Sequence, residues 1–285
     1  MEPTIKPLLS VILVNYNGEH FLEECFNSLL NSQTNFNFET LVLDNASQDQ
    51  SLTKLRRYKE ITLIENKENV GFSKGNNICL KQAQGFYILL LNTDTVLKQD
   101  SLQHMIDFMQ ANPKAGALSP KLLNTDGSTQ VQGSFLGSWR YYRKKACRIS
   151  FICGACLLTK KAILDDIGGL DEKLFFYNDD IDFCKQLAKR KLPIYYYPHT
   201  QVIHHGGLSS KSRKADALLD GYKGSLYLCK KFYHPFIYIV YRNIMLIEAC
   251  VKLAFTQCLY LFKPKLFQEN KKAYTSIVSF LLKGA

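Results

Sequence analysis

Phe86-Tyr87-Ile88-Leu89-Leu90-Leu91-Asn92-Thr93-Asp94-Thr95 is the stretch that decides the fold. Six apolar residues run without a break and stop at four polar ones. A run of this length fits a strand buried on both faces, or a segment of buried helix. The β-branched Ile88 and the rings of Phe86 and Tyr87 favour the strand. In open α/β sheets, ligands sit beyond the carboxyl ends of the strands, so Asn92 and Asp94 stand where a ligand would be. On an extended chain alternate side chains face one way, and these two oxygen-bearing groups would converge. Asn92-x-Asp94 is then a candidate site for a hard cation, Mg2+ or Mn2+. Asn-Thr-Asp is also ordinary turn chemistry.

Upstream the same pattern repeats. Leu8 to Val14 is apolar apart from Ser10 and ends in Asn15-Tyr16-Asn17-Gly18. From Glu19 to Leu30, apolar Phe21, Leu22, Cys25, Phe26, Leu29 and Leu30 have amphipathic helical spacing. A short strand, Thr40 to Leu43, leads to Asp44-Asn45-Ala46-Ser47-Gln48-Asp49, and a helix follows to about Tyr58. Ile61 to Ile64 is a third strand and Ser73 to Gln84 a third helix. The order β-α-β-α-β-α-β predicts a parallel sheet with right-handed crossovers. No G-x-G-x-x-G follows the first strand, which disfavours a dinucleotide site. Asp44 could hydrogen-bond a uracil or thymine edge or a ribose hydroxyl, or cap the next helix.

Downstream, Ser101 to Gln110 reads as a helix stopped by Asn112-Pro113, and Ala115 to Pro120 as a strand. Leu123 to Lys145 is irregular, aromatic and basic, with the only tryptophan, Trp139. It is either a loop facing the active site or an acceptor, or a solvated insertion. Ile149 to Thr159 is apolar around Gly154, and Lys160 to Ile167 is a short helix closed by Gly168-Gly169. Then Asp179, Asp180 and Asp182 fall within four positions, after Phe175-Phe176-Tyr177. First-turn acids suit a helix dipole. A carboxyl at Asp180, near an aromatic wall, would also have a raised pKa suited to a general base. Lys191 to Tyr197 is a strand. His204-His205 ends the next apolar run before Gly206-Gly207, and one imidazole could complete the site of Asn92 and Asp94.

At 285 residues, 46% hydrophobic and 21% charged, the chain can form one or two globular domains. The net charge of +11 suits nucleic acid, an anionic membrane or an anionic substrate. No nucleic-acid recognition motif accompanies it. The nine cysteines are scattered, and Cys153-x-x-Cys156 lacks a second pair, which argues against a zinc ribbon. Reduced, buried thiols in a cytoplasmic protein are expected. The first residues lack the form of a signal peptide. Gly221 to Phe232 and Pro235 to Phe262 are helical. Arg242, Glu248 and Lys252 argue against a bilayer span. The aromatic residues with Lys230, Lys231, Lys263 and Lys265 suit an interfacial segment on an anionic membrane. A helical hairpin, packed on the protein or forming a homodimer, suits them equally.

Together these pieces resemble a family 2, GT-A fold glycosyltransferase, of the rhamnosyltransferase-like branch that builds bacterial surface polysaccharides. The resemblance runs from about Pro7 to Ser210. It is carried by VILVNYNG, Asp44-Asn45-Ala46-Ser47, Asn69-Val70-Gly71-Phe72 with Asn76-Asn77, Asn92-Thr93-Asp94, and Gly154-Ala155-Cys156. Gly168-Gly169-Leu170-Asp171-Glu172, Phe176-Tyr177 to Cys184, and His204-His205-Gly206-Gly207 complete it. It implies an α/β protein with a Rossmann-like mixed, mainly parallel sheet flanked by helices and a C-terminal helical extension. Residues 1–215 would be the catalytic domain, with 1–120 binding the nucleotide-sugar and 121–215 the acceptor. Residues 216–285 would be helical and membrane-associating.

The resemblance also implies roles. Asp44 would contact the base of a dTDP-, UDP- or GDP-sugar. Asn15, Asn17 and the backbone near Val14 would line the nucleotide pocket. Asn69, Phe72 and Asn76 would shape its ribose and diphosphate side. Asn92-Thr93-Asp94 stands where the family has its DxD-type motif, with Asp94 the principal ligand of Mn2+ or Mg2+. His204, or its neighbour His205, would join the metal. Asp180 matches the catalytic base, and Asp179 departs from the usual Glu beside it, which leaves the register of the base open. The implied reaction is metal-dependent, inverting transfer of a sugar, rhamnose among the candidates. The acceptor would be a hydroxyl of a growing lipid-linked polysaccharide. The enzyme would be cytoplasmic or peripheral on the inner membrane face. The alternative is a non-catalytic scaffold that binds sugar nucleotides and partners a membrane glycan-assembly enzyme.

Overall fold

A computed structural model describes residues 6–133, 137–206, 214–259 and 264–283. Within the stretches named above, residues 134–136, Gly207 to Ser210, 211–213 and 260–263 lie outside it, as do the side chains of Lys214 and Lys265. The chain divides into two units. Met1–Glu172 with Asp179–Leu208 form one, and Lys173–Asn178 with Ser209–Ala285 the other.

In the first unit, nine strands among the described residues form one mixed sheet. They are β1 (Leu9–Asn15), β2 (Phe38–Asp44), β3 (Ile61–Glu65), β4 (Tyr87–Leu91), β5 (Thr95–Leu97), β6 (Ala117–Leu123), β7 (Cys147–Ile149), β8 (Cys156–Lys160) and β9 (Ile194–His204). The order is β3-β2-β1-β4-β8-β6-β9-β5, with β7 on β9. Helices α1 (Leu22–Leu30), α2 (Ser51–Leu55), α3 (Phe72–Gln82), α4 (Ser101–Ala111), α5 (Lys161–Ile167) and α6 (Asp179–Lys189) flank it.

Strand β4 is buried along its whole length. Tyr87, Leu89 and Leu91 enter one apolar layer with α1 and α4. Ile88 and Leu90 enter the other, with α3, α5 and α6. The period of two along the strand thus feeds both cores. Phe86, expected to begin the strand, is 57% exposed, and the strand begins one residue later. β1 is parallel to β2 and β4, and β2 to β3, as the alternation predicts. Beyond β4 the sheet turns mixed, because β8 is antiparallel to both β4 and β6.

Two features escaped the sequence pattern. β5 has three residues, too short for a period, and pairs antiparallel with β9, Thr95 opposite His204. β9 is a single strand where a break was expected at Pro198-His199. Its pairing with β6 jumps from Tyr197 to Gln201, so residues 198–200 form a bulge. A bulge accepts a proline, which has no N–H for the ladder. Thr200 Oγ1 ties the bulge to Ser101 Oγ at 2.8 Å.

The second unit contains α7 (Lys214–Phe232), α8 (Pro235–Leu259) and α9 (Pro264–Lys283) around Tyr222, Leu226, Met245, Ala249, Ile277 and Leu281. Arg242 Nε donates to Leu281 O at 2.7 Å, supplying a cation to the last carbonyls of α9. Glu248 pairs with Lys252. Phe236, Val240, Ile244, Ile247, Val251 and Phe255 form a stripe on α8, each at least 42% exposed. Among the described residues no helix is long and apolar enough to cross a membrane. Asn178 Nδ2 donates to Gly221 O at 3.0 Å, and Ser225 Oγ donates to Asn178 Oδ1 at 3.2 Å. Gly224 makes the notch, since a Cβ there would lie 2.6 Å from Asn178 Nδ2. These bonds hold Tyr177 and Asn178 at φ 66° and 67°, costly values for residues with a Cβ.

Gly85 precedes β4 where the chain meets β1, and a Cβ there would lie 2.7 Å from Leu9 C and collide with Ser10 N. Gly85→Ala is therefore expected to lower stability by about 2–3 kcal/mol, read as a shift of the urea midpoint at unchanged slope.

Candidate active site

The carboxyl ends of β1 and β2 are zipped together. Buried Asn15 donates from Nδ2 to Asp44 Oδ1 (2.9 Å) and Ser47 Oγ (3.1 Å). Its Oδ1 is buried with no partner. Gly18 packs against that oxygen, and a Cβ there would clash with it and reach within 3.3 Å of Thr93 Oγ1. Asp44 is 1% exposed, and its Oδ2 accepts from Ser47 N at 3.0 Å. Both of its oxygens thus organise the turn, each with a lone pair to spare. Asn17, at φ 52°, donates from N to Ser47 Oγ and accepts Gln48 N on Oδ1 at 2.7 Å.

The next loop hangs on Asn45, which sequence reasoning left without a role. Its Nδ2 donates to Asn69 Oδ1 (2.9 Å) and Gly71 O (3.1 Å). Its Oδ1 accepts from Val70 N (2.9 Å) and Asn66 Nδ2 (3.2 Å). Asn69 is thereby fixed. Val14 touches α3 at Gly75, where a Cβ would lie 3.0 Å from Val14 Cγ1. Asn76 is 2% exposed and bonds back to Phe72 O within its own helix. Asn77 reaches across to Leu170 N and O and Glu172 Oε1.

Asn92, Thr93 and Asp94 form a turn rather than extended chain. Thr95 Oγ1 closes it on Asn92 O at 2.7 Å. Alternation along a strand therefore does not bring Asn92 and Asp94 together; the β5–β9 ladder does, by setting His204 opposite Thr95. His204 Nε2 lies 3.3 Å from Asp94 Oδ1 and 3.5 Å from Asn92 Nδ2. Asn92 thus turns its amide nitrogen, not its oxygen, toward the histidine. His205, just past the end of β9, points away from this pair. It lies 3.2 Å from Glu24 Oε2 with its ring on Phe21.

Gln130 sets the state of His204, and nothing in the sequence marked it. Gln130 Nε2 donates to Asn124 Oδ1 (3.0 Å) and to His204 O (3.3 Å). Its Oε1 is left to accept, 2.7 Å from His204 Nδ1. The imidazole therefore donates from Nδ1 to Gln130, which leaves Nε2 facing Asp94 Oδ1. Either a proton on Nε2 or a metal cation joins two such atoms. An imidazole nitrogen and a carboxylate oxygen suit Mn2+, and a carboxylate with substrate phosphates suits Mg2+. Among the described residues no three His, Cys, Asp or Glu side chains share such a point. Further ligands would have to be phosphate oxygens and water.

The second centre is the first turn of α6. Asp179 and Asp182 are buried and Asp180 half-buried. Burial pushes the Asp180 carboxyl up to about 6. Burial pushes Asp179 further, to about 8, because the charge of Asp180 opposes a second ionisation beside it. Asp180 Oδ1 accepts Ile181 N at 2.8 Å. Gly154 faces this pair. A Cβ there would lie 3.6 Å from Asp179 Oδ2 and 3.8 Å from Phe72 Cε1, so Phe72 stands on the acid side of the site. Burial raises the Cys153 thiol to about 12, with the charges of Asp180, Asp179 and Asp94 adding to it. The segment after Cys153 links the two centres: Ala155 O accepts Asn92 N at 2.9 Å, and Gly154 faces Asp179.

Residues 10–168 match the family described as "Glycosyl transferase family 2". By sequence, the N-acetylglucosaminyl-diphospho-decaprenol L-rhamnosyltransferase of Mycobacterium tuberculosis is 25% identical over 254 residues, 76% of this chain and 82% of that protein. By structure, the mannosyltransferase PcManGT from Pyrobaculum calidifontis, in complex with GDP-Man and Mn2+, aligns with a TM-score of 0.59 at 19% identity. The alignment covers 98% of this chain and 87% of that one. Residues 1–349 of S. aureus TarS, in complex with UDP-GlcNAc, align at 0.58 and 17% identity, covering 97% and 92%. These structures share the fold, a central sheet flanked by helices.

The acid pair makes a pH prediction. Both carboxyls hold protons more tightly in the folded chain than in the unfolded one, where they titrate near 4. Stability is therefore present below about 4 and lost as pH rises through about 6 and about 8. Asp179→Asn is expected to gain on the wild type across that window by about 1.4 kcal/mol for each unit of displacement removed. Urea unfolding of both proteins at pH 5 and pH 8 measures the difference; equal differences at the two pH values would contradict it.

Proposed function

The chain belongs to glycosyl transferase family 2, and on that premise we propose a specific reaction. A sugar passes from a nucleoside diphosphate to a hydroxyl of a lipid-linked surface glycan in one inverting step. The observation that carries this reading is the pairing of two centres. Asp94 and His204 form a pair suited to a cation, and residues 154–155 link it to the acids of α6, since Ala155 O accepts Asn92 N at 2.9 Å and Gly154 faces Asp179.

In this reading Asp94 and His204 hold Mn2+ or Mg2+, with Gln130 fixing the imidazole. The bound ion neutralises charge that develops on the departing diphosphate. Asp180 takes the proton of the acceptor hydroxyl as its oxygen bonds to the anomeric carbon and the bond to phosphate breaks. Attack opposite the leaving group inverts that carbon, with no covalent enzyme intermediate. Asn15 and Asp44 shape the base side of the donor pocket through the turn they hold together. Val14, Asn17, Asn69, Phe72, Asn76, Asn92 and Thr93 shape the rest of that pocket. Residues 1–120 then serve the donor and 121–215 the acceptor, while 216–285 meet the membrane through the exposed stripe of α8. The metal, nucleotide and lipid-linked substrate named for the relatives above support this reading, and dTDP-rhamnose is the donor to try first.

A panel of UDP-, GDP- and dTDP-sugars with Mn2+, Mg2+ or EDTA tests it. Release of nucleoside diphosphate from one donor, lost in EDTA, is expected. Asp180→Asn should lower transfer by about 10²–10⁴-fold and leave nucleotide binding intact. Loss of both would remove Asp180 from its role. Gln130→Ala should weaken Mn2+ binding by about 10–100-fold, read by calorimetry with nucleoside diphosphate present.

A further inference from the structure

Residues 127–164 contain no Asp or Glu, yet Arg140, Arg143, Lys144, Lys145 and Arg148 crowd positions 140–148. We propose that the 3-10 turn Ser138–Tyr142 and these cations form a docking surface for the anionic headgroups of a lipid bilayer. It would seat the catalytic unit on the membrane beside the acid pair. This deepens the reading above, on which its purpose rests.

The turn is built to point outward. Tyr141 is 5% exposed and anchors it from within. Its hydroxyl donates to Phe151 O at 2.8 Å, and its carbonyl accepts Tyr196 Oη at 2.7 Å. The two rings meet edge to face with centroids 5.5 Å apart. With Tyr141 pinned inward, Trp139 and Tyr142 are left 57% and 63% exposed. Amphipathic rings held at a surface belong at the level of lipid headgroups.

The charges are held without being neutralised. The guanidinium carbons of Arg140 and Arg143 lie 5.2 and 5.4 Å from the Trp139 ring centroid. That contact orients them and leaves their N–H groups free for phosphate. Among the described residues neither they nor Lys144 and Lys145 pair with a carboxylate. Basic and aromatic residues also suit single-stranded nucleic acid, which needs a free aromatic face for stacking. Here two guanidiniums lie over the indole and Tyr142 alone is left uncovered, where a tracked strand stacks on successive aromatic faces, which favours the headgroup layer.

The turn is tied through the interior to the helix that carries the acids. Phe151, which holds Tyr141, is followed by Ile152. Ile152 N donates to Cys184 Sγ at 3.4 Å, on α6 one turn beyond Asp180.

Co-sedimentation of the full chain with phosphatidylcholine vesicles, with and without phosphatidylglycerol, tests the proposal. Each cation near an anionic surface contributes roughly fivefold. Arg140→Gln with Arg143→Gln should thus weaken binding to the anionic vesicles by roughly 25-fold, and Trp139→Ala should weaken it as well. Ile244→Ser with Ile247→Ser on α8 should leave the dependence on phosphatidylglycerol in place. Donor hydrolysis without vesicles should match the wild type in all of them, which separates failure here from failure of the glycosyltransferase reading. Wild-type binding to anionic vesicles by the double arginine variant would overturn the proposal. So would loss of affinity for a single-stranded RNA probe with vesicle binding unchanged.

Discussion

Strand β4 has water on neither face, and much else follows from that. Its edges are taken by β1 and β8, and its side chains enter two separate apolar layers. A chain so enclosed cannot carry an unsatisfied polar group along its length. Polar chemistry is deferred to the first residues past the strand, Asn92 to Asp94. Its partner β1 carries one buried hydroxyl within its length, ahead of Asn15 at its end. Ser10 is fully buried, and its hydroxyl is satisfied by Glu39 Oε1 and Gly85 N. The site lies at the carboxyl edge because that is where the sheet can tolerate it.

The edge is then furnished by hydrogen-bond direction more than by charge. Asn15 and Asp44 spend most of their capacity on each other and on Ser47. Asn45 spends nearly all of its own on the loop that follows. What remains is sparse and specific: one orphaned amide oxygen, one imidazole nitrogen facing a carboxylate, and two reluctant acids. Each is held by a neighbour whose own bonds admit one orientation, as Gln130 is by Asn124.

The strands and helices up to β4 were legible because each repeats a period long enough to count. Asp94, His204 and the acids of α6 stood out as candidates because they interrupt such patterns. Three things were not. β5 is too short to show a period. The bulge at Pro198 looks locally like a break, since nothing nearby reveals that β6 shifts register to match it. Gln130 lies 74 positions from the histidine it orients, in a stretch with no periodicity. The convergence of Asn92 and Asp94 was foreseen for the wrong reason: a turn and a ladder do what extended chain was expected to do.

Asn178 carries a consequence for how the chain is made. Its partners Gly221 and Ser225 lie 43 and 47 positions downstream. Asp179 and Asp180 follow it directly. A ribosome therefore delivers the acids before the groups that hold the residue in front of them. Until α7 has emerged, nothing compels Tyr177 and Asn178 into their left-handed backbone. Vectorial synthesis delivers residues 173–178 well before the helices of the unit to which they belong, so that unit is interleaved in sequence with the first and not appended after residue 208.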